Sequence, residues 1–502
     1  MPTVGISNDA VLSIFDSEND IFGGGNANIS IGLENDEEVD ITSTIVGTSN
    51  NNFLSGTDGD DQIFGRGRND NISGGLGNDV INGRGGNDLI DGGAGNDTLL
   101  GGRGNDTLLG GAGDDTFKGS RGNDSINGGD GIDTADYSQL NKSIILSGVG
   151  TVEKAGEFGK DQLLKVETVI ADASVANNTI DASQSLSGVS ATADLQAQTI
   201  TANNVPGLGT LKFNVVNFDN VIGTNEGDSI KGDGQNNQLS GLAGDDLIDG
   251  RDGNDLIDGG LGNDTLIGGA GDDTFKGSRG NDSINGGDGI DTADYSNLGI
   301  AITLSGVGTI TKAGGFGTDQ VFKVETVVAD ADVANNTIDA SQSLSGVSAT
   351  ADLQAQTITA NNVPVLGTLK FNVVNFDNVI GTNEGDSIKG DRQNNRLVGN
   401  AGNDTISGGF GNDTIIGGEG NDVLRGGFGA DKFIFNSLKD GIDTIKDYRF
   451  GQGDVIEVSK VGFGTTKSSD FFYNTSSGNL SFQGTQFAFV ENLPSNLSIQ
   501  LV

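Results

Sequence analysis

Gly92 to Lys118 reads GGAGNDTLL, GGRGNDTLL, GGAGDDTFK, one nine-residue phrase written three times. Each copy has glycine at its first, second and fourth places, Asp at its sixth (Asp97, Asp106, Asp115) and an apolar residue at its eighth (Leu99, Leu108, Phe117). A chain that turns back this often needs backbone angles closed to most side chains, and glycine reaches positive φ at little steric cost. The Asn or Asp at most fifth places is read in the same way, as a residue tolerated in the left-handed region. The opening five residues are therefore expected to turn. The three that close each copy are expected to form a strand with one side chain inward and its neighbours outward. So short a strand buries nothing alone, and stacked coils must supply the core.

The Asp between turn and strand recurs at one height on every coil. Stacked carboxylates repel one another unless a cation sits between them. Calcium suits the place, being a hard ion that accepts six to eight oxygens, backbone carbonyls included. The pattern GGxGxDxUx, with U apolar, resembles the RTX, or hemolysin-type calcium-binding, repeat family. That resemblance implies an all-β fold, a right-handed parallel β-roll or β-helix solenoid in which two successive units make one coil. Asp79 is then expected to face Asp97 on one side and Asp88 to face Asp106 on the other, each pair sharing an ion with carbonyls of the turns.

Outward from this stretch, the nine-residue frame holds for ten units over 47–136, for eight over 223–294 and for six over 381–434. All begin with glycine. The candidate calcium ligands are the sixth-place carboxylates: Asp61, Asp70, Asp79, Asp88, Asp97, Asp106, Asp115, Asp124 and Asp133 in the first array; Asp228, Asp246, Asp255, Asp264, Asp273, Asp282 and Asp291 in the second; Asp386, Asp404, Asp413, Asp422 and Asp431 in the third. Asn52, Asn237 and Asn395 break the series, and an amide oxygen brings no charge. If each ion bridges a unit with the next but one, the three arrays allow at most about 18 ions.

Residues 1–46, with β-like pieces at Val11–Phe15 and Ile29–Leu33, are expected to form an N-terminal β cap over an open solenoid end. Two inserts, 137–222 and 295–380, separate the arrays. They are copies of each other: Asn177–Pro206 is identical to Asn335–Pro364. Their alternating Val, Ile and Thr predict strands over Ser143–Leu146, Gln162–Ile170 and Thr210–Val216. Whether these continue the stack as metal-free coils or pack against it as separate β units stays open at this level. The tail, 435–502, has more aromatics and fewer glycines, and Ser476–Asn479 predicts a hairpin turn. It resembles the C-terminal segment of RTX proteins, which caps the roll and carries the uncleaved signal of a type I (ABC) exporter; Asn474 stands where relatives often have Asp.

The net charge is −42, from 70 acidic and 28 basic residues. This argues against nucleic acid and anionic membranes as partners and in favour of cations. For the calcium-free state, a solvated acidic coil is the competing expectation. There is no cysteine, hence no thiol or disulfide chemistry. No apolar run is long enough to span a membrane, and the first twenty residues lack the basic and apolar regions of a Sec-type signal. The chain has no histidine, which removes the HExxH zinc site and the Ser-His-Asp triad, and no GxSxG elbow. No enzyme is therefore expected, although carboxylate pairs could serve a lyase or glycosidase. A pore-forming toxin would need a long helical region that 1–46 does not supply. The expectation is a secreted, extracellular calcium-binding protein that folds on meeting calcium outside the cell, with a structural, cell-surface, matrix or adhesion role. The alternative is a polysaccharide-binding or carbohydrate-active (lyase- or epimerase-like) β-helical protein carrying the repeats.

Overall fold

A computed structural model describes residues 43–502 apart from Val149 and Val307; the expected N-terminal cap lies almost wholly outside the described residues. The chain forms two compact units, Met1–Arg251 and Asp252–Val502, and the division falls inside the second array.

In the first unit the repeats alternate between two parallel sheets. Val80–Gly85 pairs with Thr98–Arg103, which pairs with Thr116–Lys118, in one sheet. Asn71–Leu76, Leu89–Ala94, Thr107–Ala112 and Ser125–Asp130 stack in the other. Equivalent residues are therefore 18 apart, as in Thr98↔Thr116, and two nine-residue units make one coil. The eighth-place side chains fill the space between the sheets: Ile81, Ile90, Leu99, Leu108 and Phe117 are all buried to 1% exposure or less. Each contributes roughly 1.5–3 kcal/mol by leaving water. One such side chain per nine residues is a thin core beside the entropy of ordering nine backbones, so the turns must contribute as well.

The first insert continues the stack. In one sheet Ala135 pairs with Val169, and Val169 with Val215. In the other, Ile126 pairs with Leu163, and Leu146, Ile180, Val221 and Leu239 form one parallel ladder. What distinguishes the insert is a pair of antiparallel excursions spliced into the parallel order. Ile144–Ser147, Thr151–Lys154 and Gly159–Leu164 make one, and Ser190–Asp194, Thr199–Val205 and Gly209–Val216 the other. The strand expected over Gln162–Ile170 is corrected. It breaks at Lys165, whose φ is +50°, and Leu163 and Val169 sit on different sheets. Alternating hydrophobicity runs through that corner because both of its arms face the same core.

The second unit repeats the plan. Its insert pairs Ile284 with Val321 and Ala293 with Val327, carries equivalent excursions, and leads into the third array. Beyond the array, Lys432–Phe435 stacks on Val455–Val458 and that strand on Ile499–Leu501. Val423–Phe428 stacks on Asp443–Ile445 and that on Thr485–Val490. Phe471–Tyr473 and Asn479–Phe482 form the expected hairpin. Asn474 Oδ1 accepts the amides of Ser476 and Ser477 in its turn. Phe435, Phe463, Phe471, Phe482 and Phe487 pack ring against ring with centroids 5.0–6.0 Å apart. All five rings are buried.

Candidate metal centres

Positive φ falls at the second and fourth places of the repeat, Gly93 (+106°) and Gly95 (+128°), Gly102 (+108°) and Gly104 (+132°). The strands Leu89–Ala94 and Thr98–Arg103 run six residues, through the first three places of the next copy, so the five-residue turn and three-residue strand expected from the sequence are corrected. The fifth-place Asn is not left-handed, which corrects the sequence reading. Its side chain has another task. Asn78 Oδ1 accepts the Asn96 amide at 2.6 Å and Asn87 Oδ1 that of Asn105 at 2.9 Å, tying each turn to its neighbour one coil away.

The sixth-place Asp forms a second ladder. Asp97 Oδ1 accepts the amide of Asp79 at 2.7 Å, and Asp106 Oδ1 that of Asp88 at 2.8 Å, so the expected pairs do face each other. The ladder uses one carboxylate oxygen only. The Oδ2 atoms of Asp70, Asp79, Asp88, Asp97, Asp106, Asp115 and Asp133 in the first unit are buried with no hydrogen-bond partner. So are those of Asp273, Asp291, Asp404, Asp413, Asp422 and Asp431 in the second. Asp246, Asp255 and Asp264 are buried at the same place in the turn. A buried carboxylate oxygen facing nothing is costly. Beside it lies a backbone oxygen: a Cβ placed on Gly92 would strike both Asp97 Oδ2 and the Gly110 carbonyl oxygen, and one on Gly74 would strike Asp79 Oδ2 and the Gly92 carbonyl. An orphaned anionic oxygen beside carbonyl oxygens is the donor set of a hard divalent cation. Among the described residues no three acidic side chains converge on one point; each turn brings one carboxylate and relies on backbone oxygens for the rest.

The remaining candidates share one local difference. Asp61, Asp228 and Asp386 follow Thr at the second place, and Asp124 and Asp282 follow Ser. Thr224 donates its amide to Asp228 Oδ2 and its hydroxyl to Asp228 Oδ1, and Thr382 serves Asp386 in the same way. Thr57 donates both groups to Asp61 Oδ2. Ser120 reaches Asp124 Oδ2 at 3.1 Å and Ser278 reaches Asp282 Oδ2 at 3.3 Å. A second-place Thr or Ser thus satisfies, through its amide or its hydroxyl, the Oδ2 that is left bare where that place holds Gly, Arg or Asn.

The columns also run past the repeats. Asp124 donates its amide to Asp161 Oδ1, Asp282 to Asp319 Oδ1, Asp422 to Asp443 Oδ1 and Asp431 to Asp454 Oδ1. These four aspartates stand outside the nine-residue frame and were missed by it. A half-motif, Gly-x-Asp-x-apolar, marks three of them, at Gly159–Leu163, Gly317–Val321 and Gly441–Ile445.

Burial pushes these carboxyls up: Asp79 and Asp115 to about 6, Asp97, Asp106, Asp273, Asp404 and Asp413 to about 7, and Asp443 to about 8. The backbone amide each accepts pulls the other way, and neighbouring carboxylates add to the rise. A folded-state value above the unfolded one means that protonation favours the fold. Without calcium, this contribution is fully present below about pH 4 and is lost as the pH rises through about 6 to 8. Metal-stripped protein is therefore expected to gain sheet signal and a higher Tm on going from pH 8 to pH 5, whereas calcium affinity falls because protons compete. Circular dichroism melts of dialysed, metal-free protein across that range check this; a Tm indifferent to pH would contradict it.

The family model of the RTX calcium-binding nonapeptide repeat (4 copies) matches residues 43–67, 64–99, 100–135, 222–257, 258–293, 380–415 and 398–433. The chain carries RTX calcium-binding repeats. Its bare Oδ2 atoms thus lie in RTX turns, and those turns make it a calcium-binding β-roll protein. Among curated proteins no match is found. Of the solved structures, the extracellular lipase LipA from Serratia marcescens is similar over 68% of this chain and 45% of its own, at 17% identity and a TM-score of 0.20. The RTX match leaves the inserts and the tail uncovered, and these hold Asp161, Asp319, Asp443 and Asp454.

Proposed function

We propose that the chain is a secreted protein whose folding is driven by extracellular calcium and whose product is the coil stack itself, serving a structural, surface or adhesive role. The observation that carries this is the repeated bare Oδ2, which leaves metal-free coils with columns of uncompensated buried carboxylates. A chain of this kind stays loose where calcium is scarce, as passage through a type I exporter requires, and stiffens outside. The aromatic cap of the tail is the part a type I apparatus would read. No catalytic role is assigned to the acidic side chains, since most are already engaged in turns. Sites of the extracellular type bind at roughly 10⁻⁴–10⁻³ M, which matches a switch thrown on leaving the cell.

The polysaccharide-binding reading would seat a sugar edge at the small cleft in each insert, about 50 Å³ beside Leu146, Ile180, Asp181, Ser185, Phe213 and Thr224 and about 40 Å³ at the residues 158 further on, which is room for one or two water-sized groups. The full chain, loaded with calcium, separates the two roles. Light scattering that rises with calcium, together with a blank glycan array, supports self-assembly. Glycan binding lost on filling the cleft by Ala191→Phe, with no assembly, supports recognition instead.

A further inference from the structure

Two turns carry a cation of their own. Lys154, at the end of Thr151–Lys154 in the first excursion, points into the core with its side chain 0% exposed. Its Nζ lies 2.5 Å from Asp161 Oδ1 and 3.4 Å from Asp124 Oδ2, between two successive members of one carboxylate column. The second unit repeats the arrangement: Lys312 Nζ lies 2.6 Å from Asp319 Oδ1 and 3.2 Å from Asp282 Oδ2, and donates to the Ser278 carbonyl at 2.8 Å. The space beside the turn is filled as well. A Cβ on Gly119 or Gly277, the first place of these turns, would meet the ring of Tyr137 or Tyr295, where other turns present Asp Oδ2 and a glycine carbonyl. The two phenols are buried and donate to Asp161 Oδ2 at 2.9 Å and to Asp319 Oδ2 at 2.7 Å.

We propose that Lys154 and Lys312 are resident cations that replace calcium in one turn of each unit, closing one carboxylate column with an ammonium where the array meets its insert. The chemistry fits. The interval holds two carboxylates, and a buried carboxylate is tolerated only when paired or hydrogen-bonded. An ammonium offers three donors, the serine hydroxyl and the phenol supply the rest, and the ring occupies the volume a metal would need. The first excursion of each insert is consequently held at every calcium concentration. It gives the array a preformed end against which the calcium-dependent coils can stack. Asp124 and Asp282 then drop out of the set of calcium ligands, although they obey the repeat pattern.

This inference rests on the calcium reading of the neighbouring turns, and the test keeps the two apart. Bound calcium is counted by native mass spectrometry on the full chain at saturating calcium. The wild type is compared with the double variant Asp161→Asn and Asp319→Asn and with the control Asp97→Asn. Asparagine keeps the Oδ1 that accepts the Asp124 or Asp282 amide and removes the charge, while its amide nitrogen takes the place of the oxygen facing Tyr137 or Tyr295 and donates to the phenol oxygen instead. The control is expected to lose at least one ion, while the double variant keeps the wild-type number. Loss of two ions in the double variant would overturn the proposal; loss of none in the control would overturn the calcium reading instead. A second arm replaces both lysines by Met. At saturating calcium this is expected to lower the Tm, and adding the two Asp→Asn changes is expected to recover more than half of the drop, because a buried charge no longer lacks its partner. An unchanged Tm in the lysine variant, or no recovery, would show that the ammoniums do not hold the column.

Discussion

Removing calcium from the full chain is expected to abolish most of its sheet signal, reversibly, with magnesium unable to substitute. The physical reason is the bare Oδ2 of the RTX turns, buried at thirteen positions from Asp70 to Asp431. At tenfold excess over Kd each occupied site contributes about 1.4 kcal/mol of linkage. Ten or more such sites together rival the roughly 5–15 kcal/mol that usually separates folded from unfolded domains. Magnesium demands near-ideal octahedral geometry and gives up its water reluctantly, which a site made largely of fixed backbone carbonyls does not reward. Replacing Asp88, Asp97 and Asp106 together by Asn should remove charge from both columns at once. Calorimetric titration is expected to show fewer ions bound, and thermal melting at fixed calcium a Tm lower by ten degrees or so. An unchanged stoichiometry would mean that these carboxylates are not ligands.

Replacing Gly95 by Ala is expected to be among the most damaging small substitutions in the first array. Gly95 has φ +128°, and an added Cβ would overlap the carbonyl oxygen of Gly77 one coil away. The left-handed backbone costs about 1–2 kcal/mol for a residue with a Cβ, and forcing apart two stacked coils adds roughly 1–3 more. Gly188 is the matched control: its φ is +84°, yet a Cβ there would meet nothing within 4 Å. Gly188→Ala should therefore show the backbone cost alone, and Gly95→Ala about 2–5 kcal/mol in total. Denaturant unfolding at saturating calcium measures both; equal effects would show that close coil stacking is not what selects glycine at the fourth place.

Much of this was legible in the repeat. Three phrases over Gly92–Lys118 name the inward residue, the turn and the carboxylate, and Leu99, Leu108 and Phe117 are buried as the period requires. The pairing of Asp79 with Asp97 follows from two units per coil. The fifth-place Asn misled, because residues tolerant of positive φ and residues able to accept a neighbour's amide are the same residues; only the ladder from Asn78 to Asn96 separates the two uses. Asp161, Asp319, Asp443 and Asp454 were hidden because insertions lengthen the coil: the ladder step is 37 residues at Asp124–Asp161, 21 at Asp422–Asp443 and 23 at Asp431–Asp454. A fixed-period reading cannot step over a loop of variable length.

By itself the amino-acid sequence determined the stacked repeat and its columns of aspartate, since a nine-residue period places like residues at like heights whatever else the chain does; two units to a coil is what the RTX resemblance implied. The tertiary structure alone decided which of those aspartates are bare. Whether an Oδ2 faces a hydroxyl, an ammonium or only backbone oxygens depends on what is packed beside the turn. For Asp124 and Asp282 that neighbour is a lysine 30 residues away along the chain, brought in by an antiparallel excursion that no repeat predicts.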